Sequence, residues 1–311
     1  MVKRAHLLRK ILPVSFVICS IIFSSYTTNA QGCSDAGFCT APAMRPKALA
    51  DTTNLTNKIT AGFGIGFADH SVTVYNGMVA YTGTFSKHFN GSVRFNYQYN
   101  DGPLAGVGAL SDAFVTAGYN SGSGFDITAG IKIPFTDGNI NYQGLILPMD
   151  YQPGLGTTDL LIGAGYRFGK GGVVAGLQQP LTQNKNAYLS DLYPEGTPGS
   201  EFQSTNKFFR YGDILLRAYY NFSFAQNRIT LSPSLLPIYH LKEDTYRDRN
   251  DAEISIAGSD GLTLNGTITL RYTSGNHSVE TTMGTPFVVR EARPDGLTRS
   301  FVAGIEYAIR F

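Results

Sequence analysis

Between Lys58 and Phe311 apolar and polar residues alternate with a period of two, and only strands with one apolar and one polar face satisfy such a pattern. In SFVAGIEYAIRF the series Phe301, Ala303, Ile305, Tyr307, Ile309 and Phe311 is apolar. Ser300, Gly304, Glu306, Ala308 and Arg310 oppose it, with only Val302 intruding. GLTLNGTITLRYT sets Leu262, Leu264, Ile268, Leu270 and Tyr272 against Thr263, Asn265, Thr267, Thr269 and Arg271. SVRFNYQYN sets Val93, Phe95, Tyr97 and Tyr99 against Arg94, Asn96, Gln98 and Asn100.

Twelve such runs are predicted, near 58–67, 78–89, 92–100, 112–120, 125–135, 158–168, 172–182, 212–222, 228–240, 261–273, 277–288 and 299–311. Short connections rich in Gly and Asn (NSGSG, GKGG, SFAQN, TSGNH) alternate with longer ones near 68–77, 101–111, 136–157, 183–211, 241–260 and 289–298. Short turns on one rim and long loops on the other characterise outer-membrane barrels. The expectation is an all-β fold, a twelve-stranded antiparallel transmembrane β-barrel. An even number of crossings returns the chain to its side of entry, so both termini are expected to be periplasmic.

Residues 1–30 read as a secretory signal: basic MVKRAHLLRK, the apolar run 11–23, then SSYTTNA with small residues at Thr28 and Ala30. The apolar run is short of the ~20 residues a spanning helix needs. The expected organisation is a signal at 1–30, a periplasmic tail or plug at 31–57, and an outer-membrane barrel at 58–311. Removing the leader takes Cys19 away and leaves Cys33 and Cys39, which are expected to pair in an oxidising compartment. The remaining chain has 21 basic and 23 acidic residues. That balance argues against a nucleic-acid partner, which needs a basic stripe. Charged residues make up only 15%, against roughly 25% in soluble domains. That mix suggests strands rather than helices, while export, terminal Phe311 and a face of Arg, Glu, Asn and Thr along many strands make a lipid bilayer the expected surrounding.

DAFVTAGY (112–119), DLLIGAGY (159–166) and DILLRAYY (213–220) each place an Asp seven residues before a Tyr. Opposite parity sends Tyr to lipid and Asp inward. Each is followed by a short turn and a strand carrying Pro (ITAGIKIPF, VVAGLQQPL, ITLSPSLLPIY), and these prolines are expected at the strand ends, where pairing stops. Over about 111–311 this pattern resembles the outer-membrane barrels linked to the meta-cleavage pathway of phenol degradation, transporters akin in style to long-chain fatty-acid channels. The terminal EYAIRF looks like the C-terminal signal of bacterial outer-membrane proteins, which implies the barrel assembly machinery as a partner of the last strand. The absence of Trp departs from the usual aromatic girdle, a role many Tyr and Phe can fill.

The inward parity collects Arg94, Lys132, Arg167, Arg217, Arg271 and Arg310 with Glu280 and Glu306 as lumen-facing candidates, and Asp112, Asp159 and Asp213 near the outer mouth. This predicts a basic lower lumen beneath an acidic rim. Two accounts stand side by side: a pore whose charged walls bias small-molecule solutes, or a closed barrel whose charges pair across it. Turn chemistry at a strand entrance is the simpler account of the three aspartates. The apolar loop INYQGLILPMDYQPG (140–154) is either a constriction folded inward or an aromatic rim on lipid headgroups.

An enzyme is the rival class. His70–Ser71 and His277–Ser278 are adjacent, so in a strand they point to opposite faces, and His240 has no Ser two residues away. No nucleotide loop, nucleophile elbow, cofactor motif or cluster of metal ligands is visible. A structural or adhesive barrel working through its loops is a third class.

Two hairpins are predicted in register. Gly275–Asn276 centres a two-residue turn that sets Arg271 opposite Glu280. Around Phe89–Gly91 a three-residue turn with a bulge is expected to set Phe85 opposite Phe95.

Overall fold

The computed structural model describes residues 57–296 and 300–311. The leader, the tail before Asn57 and the Cys33–Cys39 pair lie outside the described residues.

Twelve antiparallel strands form the wall: β1 Lys58–Phe67, β2 Thr73–Thr84, β3 Phe89–Asp101, β4 Gly106–Asn120, β5 Phe125–Pro134, β6 Asp159–Phe168, β7 Gly171–Pro180, β8 Asp213–Tyr220 with its continuation Phe222–Phe224, β9 Ile229–His240, β10 Gly261–Ser274, β11 His277–Val288 and β12 Phe301–Arg310. Each pairs with its sequence neighbours. β1 pairs with β12 from Lys58 opposite Arg310 to Phe67 opposite Phe301, which closes the barrel and leaves no free edge. Two small hairpins, Asn141–Tyr142 with Leu145–Ile146 and Thr245–Arg247 with Glu253–Ser255, belong to the loops.

The direction of the faces settles the surroundings. Large apolar side chains along every strand point outward, as with Phe63 at 55% exposure, while polar residues such as Asn96 at 2% point inward. That inverts a soluble barrel and matches a membrane one. Outward Tyr and Phe rings pack as neighbours, including Phe89 with Tyr119 at 5.2 Å and Tyr220 with Phe222 at 4.9 Å, and supply the aromatic girdle in place of Trp. Phe63→Arg should therefore cost about 2–4 kcal/mol in lipid vesicles, the depth-dependent cost of a charge on the lipid face. Equilibrium unfolding from vesicles measures it, and a change below about 1 kcal/mol would contradict an outward membrane face.

The alternating connection lengths are only partly as predicted. The connections at 68–72 and 102–105 are short, because β2 and β4 begin earlier than their apolar alternation does. Gly77, Gly106 and Gly108 lie in those extensions and hide the strand pattern. Four long connections, through 135–158, 181–212, 241–260 and 289–296, share the rim opposite Asn57 and Phe311.

The hairpin at Gly275–Asn276 has the predicted register, with Ser274 opposite His277 and Arg271 opposite Glu280. Arg271 Nη2 lies 2.7 Å from Glu280 Oε2 with both side chains only slightly exposed. A double-mutant cycle on this pair should give a coupling of about 0.5–1 kcal/mol, the upper range of a cross-strand ion pair, and no coupling would contradict the contact.

The Phe89–Gly91 turn is not formed. The chain turns at 85–88, where the Ser86 hydroxyl accepts hydrogen bonds from the backbone N–H groups of His88 and Phe89, and Phe95 stands opposite Val79. Side-chain capping by Ser86 thus wins over the Asn-Gly signal. Gly91 sits inside β3, where an added Cβ would lie 3.0 Å from the Phe85 ring folded over it.

Pro134 and Pro180 end their strands as expected, but Pro237 and Pro233 lie within β9. The ladder from β9 to β10 runs unbroken across both. The ladder to β8 skips Leu216 and Arg217, and β8 breaks at Asn221, beside the positions facing the two prolines. Proline has no N–H to donate, and both prolines share the parity that points at β8.

Candidate functional site: the covered lumen

The barrel interior has a polar wall, a patch of apolar side chains on one side, and a cap of inward-folded loops. Inward residues of β3, β4, β9 and β10 are mostly Ser, Thr, Asn and Gln, and they bond to one another. Ser92 meets Thr116 at 2.7 Å and Ser234 meets Thr267 at 2.5 Å. Between those pairs of strands, Phe114, Leu161, Val174, Leu215, Tyr219 and Leu236 form a buried cluster that reaches from β4 to β9. The interior is thus mixed rather than uniformly polar.

Arg94 is buried and donates from Nε to Asn96 Oδ1 at 2.8 Å. Arg217 is buried and stands opposite Val174 of β7 in register. Arg167 stands at the short-turn end of β6. Arg271, Glu280 and Glu306 share one register row across β10, β11 and β12, and that row continues to Gly62. A Cβ on Gly62 would fall 2.8 Å from Glu306 Cγ, so the missing side chain makes room for the carboxylate. Arg310 ends β12 beside the terminus.

The expected division into a basic lower lumen and an acidic rim is not what the structure holds. Lys132 lies at the long-loop end, directly opposite Asp159 in register, with Nζ 2.8 Å from Asp159 Oδ2. Thr157 and Gln178 also donate to that carboxylate, at 2.6 and 2.5 Å. Asp112 lies next to Ser111 at a bulge, where two residues of β4 stand opposite Asn96 of β3. The extra residue turns Asp112 toward the Gly154 backbone of the cap.

Asp213 starts β8 and is buried against the Arg210 guanidinium. Its other oxygen is 2.7 Å from His240 Nδ1, and His240 Nε2 is 2.8 Å from Asp244 Oδ1. Arg290 pairs with Asp295 at 2.9 Å, and Arg210 Nε lies 3.6 Å from the same carboxylate. Burial pushes the Asp295 carboxyl up, but Arg290 and Arg210 outweigh it and hold it below the ordinary carboxylate range. The rim layer therefore sets cations among its carboxylates rather than carrying acid alone. Arg210, His240, Asp244, Arg290 and Asp295 were not among the candidate residues. Four of them come from loops without periodicity, and only inward His240 carried a strand signal.

The 140–154 segment folds inward. Asn100 of β3 donates to the carbonyls of Asp150 and Gln152 at 3.2 and 3.1 Å, and Gln98 reaches the Gln152 carbonyl at 3.4 Å. Tyr151 is wholly buried, accepts the Leu104 N–H at 3.0 Å, and packs edge-on to Phe202 with centroids 5.7 Å apart. Val72, Val107, Leu147 and Tyr188 complete this apolar seat, which ties the 140–154 and 181–212 loops together. Burial raises the Tyr151 and Tyr188 phenols above their ordinary value, so both stay neutral hydrogen-bonding groups. His240 directs both ring nitrogens at carboxylates and does not activate a hydroxyl.

No family model and no curated protein matches this chain. Among solved structures, an outer membrane channel from Pseudomonas putida F1 superposes with a TM-score of 0.58 at 12% identity, covering 86% of this chain and 98% of that one. The translocator domain of the autotransporter NalP from Neisseria meningitidis gives 0.47 at 8% identity, covering 84% and 90%. The NanC porin gives 0.43 at 10% identity, covering 82% and 98%. The first likeness agrees with the closed wall and the outward apolar face. The fold is that of a bacterial outer-membrane β-barrel.

Proposed function

We propose that this protein is an outer-membrane channel for small, partly hydrophobic solutes, with both termini in the periplasm and the long loops outside. The observation that carries this reading is the covered lumen. A polar wall with one apolar patch runs below a cap of docked loops, which suits a controlled passage better than an open pore. On this reading the 31–57 tail, which precedes β1 in the chain, regulates the same passage from the periplasmic side, and pairing of Cys33 with Cys39 would brace it. The last strand, β12, is the segment offered to the barrel assembly machinery.

Single-channel recording of the refolded chain, with and without residues 31–57, tests the proposal. Conductance that rises on loss of the tail supports it. No conductance and no solute uptake into liposomes in either form would favour a structural or adhesive barrel, a reading to which the wholly buried Tyr151 and Tyr188 of the cap lend weight.

A further inference from the structure

His240 occupies an unusual position: its two ring nitrogens face two different carboxylates, Asp213 on β8 and Asp244 on the 241–260 loop. An ionised carboxylate only accepts, and a neutral imidazole has one N–H to give. Both contacts are hydrogen bonds only when the ring carries two protons. The wider cluster agrees. Arg210 and Asp213 stand on the β8 side, Asp244 on the 241–260 loop, and Arg290 and Asp295 on the 289–296 segment, all buried. Among the described residues three carboxylates thus face two guanidiniums and one imidazole, and that set is neutral only with a cationic ring. Among the described residues the register neighbours add no charge: that of His240 on β10 is Gly261, and that of Asp213 on β7 is Gln178. Beyond Gln178, Asp159 and Lys132 are paired with each other.

Apart from the ring, the Asp244 carboxylate has one other hydrogen bond, while its backbone is held by the Ser259 hydroxyl and the Ile256 N–H. Its Oδ1 accepts from His240 and from the Tyr211 N–H at 2.9 Å, while its buried Oδ2 has no hydrogen-bond partner. We propose that His240 is a proton-operated clasp: doubly protonated, it ties the 241–260 loop to β8 across the mouth, and loss of its proton frees that loop. Once one proton has gone, one nitrogen presents a lone pair to a carboxylate and the buried cluster carries a net negative charge, so the loop leaves toward water. Because the docked state holds one more proton than the freed state, raising the pH increases the ratio of freed to docked loop by a factor approaching tenfold per pH unit. This is a property of the cap and is independent of what the barrel passes.

The chain contains no Trp, which makes a single-Trp reporter clean. Tyr246 packs on the Met149, Phe208 and Ile256 cluster under the cap, so Tyr246→Trp in the refolded full chain reports docking by its emission wavelength. The emission should shift to the red between pH 5 and pH 10 as a one-proton titration. In the His240→Gln background it should already be red and flat. His240→Gln with Asp244→Asn restores neutrality and an amide hydrogen bond, so it should be blue and flat, which also tests the clasp should the single variant fail to form a heat-resistant barrel. No shift in the parent reporter, the same titration in His240→Gln, or a titrating double variant would overturn the proposal.

Discussion

Replacing Lys132 with Met should lower the unfolding free energy of the barrel by about 3–5 kcal/mol, the cost of leaving a buried carboxylate without its counter-charge. Lys132 and Asp159 are both almost completely enclosed and 2.8 Å apart, so no solvent can take over from the ammonium. Gln178 and Thr157 keep donating to Asp159, but neither carries charge. Removing both partners as Lys132→Met with Asp159→Leu should recover most of the loss, because the penalty belongs to the lone charge rather than to the missing pair. Equilibrium unfolding of the full chain from lipid vesicles measures both. A single variant within about 1 kcal/mol of the parent would mean that the pair is hydrated and that the mouth is open at this level.

Tyr151→Ala should act on the cap and spare the wall. The ring is wholly buried and holds the inward loop through the Leu104 N–H, Phe202 and the surrounding apolar seat. Truncating an enclosed aromatic ring costs about 3–5 kcal/mol. Here that loss falls on the docking of the 140–154 segment, which can open without breaking a barrel ladder. The population of undocked cap should rise on the order of 10²- to 10⁴-fold. Amide hydrogen exchange at Tyr151 and Gln152 measures this directly, and single-channel conductance should rise in parallel. Unchanged exchange at those amides would show that other contacts fix the segment. Loss of the heat-resistant barrel would show that cap and wall unfold together.

The barrel wall was readable because lipid outside and a mainly polar lumen inside impose opposite demands on alternate residues. The three Asp-to-Tyr strands show this well: Tyr119, Tyr166 and Tyr220 face outward, while Asp159 and Asp213 are buried inward. Where that pattern fails, its causes are local. The bulge at Ser111–Asp112 adds a residue and breaks the parity of β4, and glycines at the starts of β2 and β4 remove the signal altogether. Pro233 and Pro237 are tolerated inside β9 because a strand donates to each neighbour only at alternate residues, which composition cannot reveal.

The cap was far less legible. Arg210, Asp244, Arg290 and Asp295 lie in three separate loops and meet only after the wall has placed those loops on one rim. Loops carry no period, so no pattern marks which of their charges turn inward. The apolar 140–154 segment left two destinations open, lipid headgroups or lumen. The amides of Gln98 and Asn100 on the inner wall of β3 provide the hydrogen bonds that hold it in the lumen.

The seam between β1 and β12 has a kinetic meaning. Lys58 meets Arg310 and Phe67 meets Phe301, so the contacts that finish the wall join residues with nearly the whole barrel sequence between them. Every other ladder in the wall joins consecutive strands and pays a smaller loop-closure entropy. Until β12 docks, the intermediate exposes two unpaired edges, the outer side of β1 and the open side of β11, each a template for another chain. The slow step of assembly should therefore be the capture of Phe301–Arg310. Substitutions that weaken its pairing with β1 should favour aggregation over insertion even when the finished barrel would be stable.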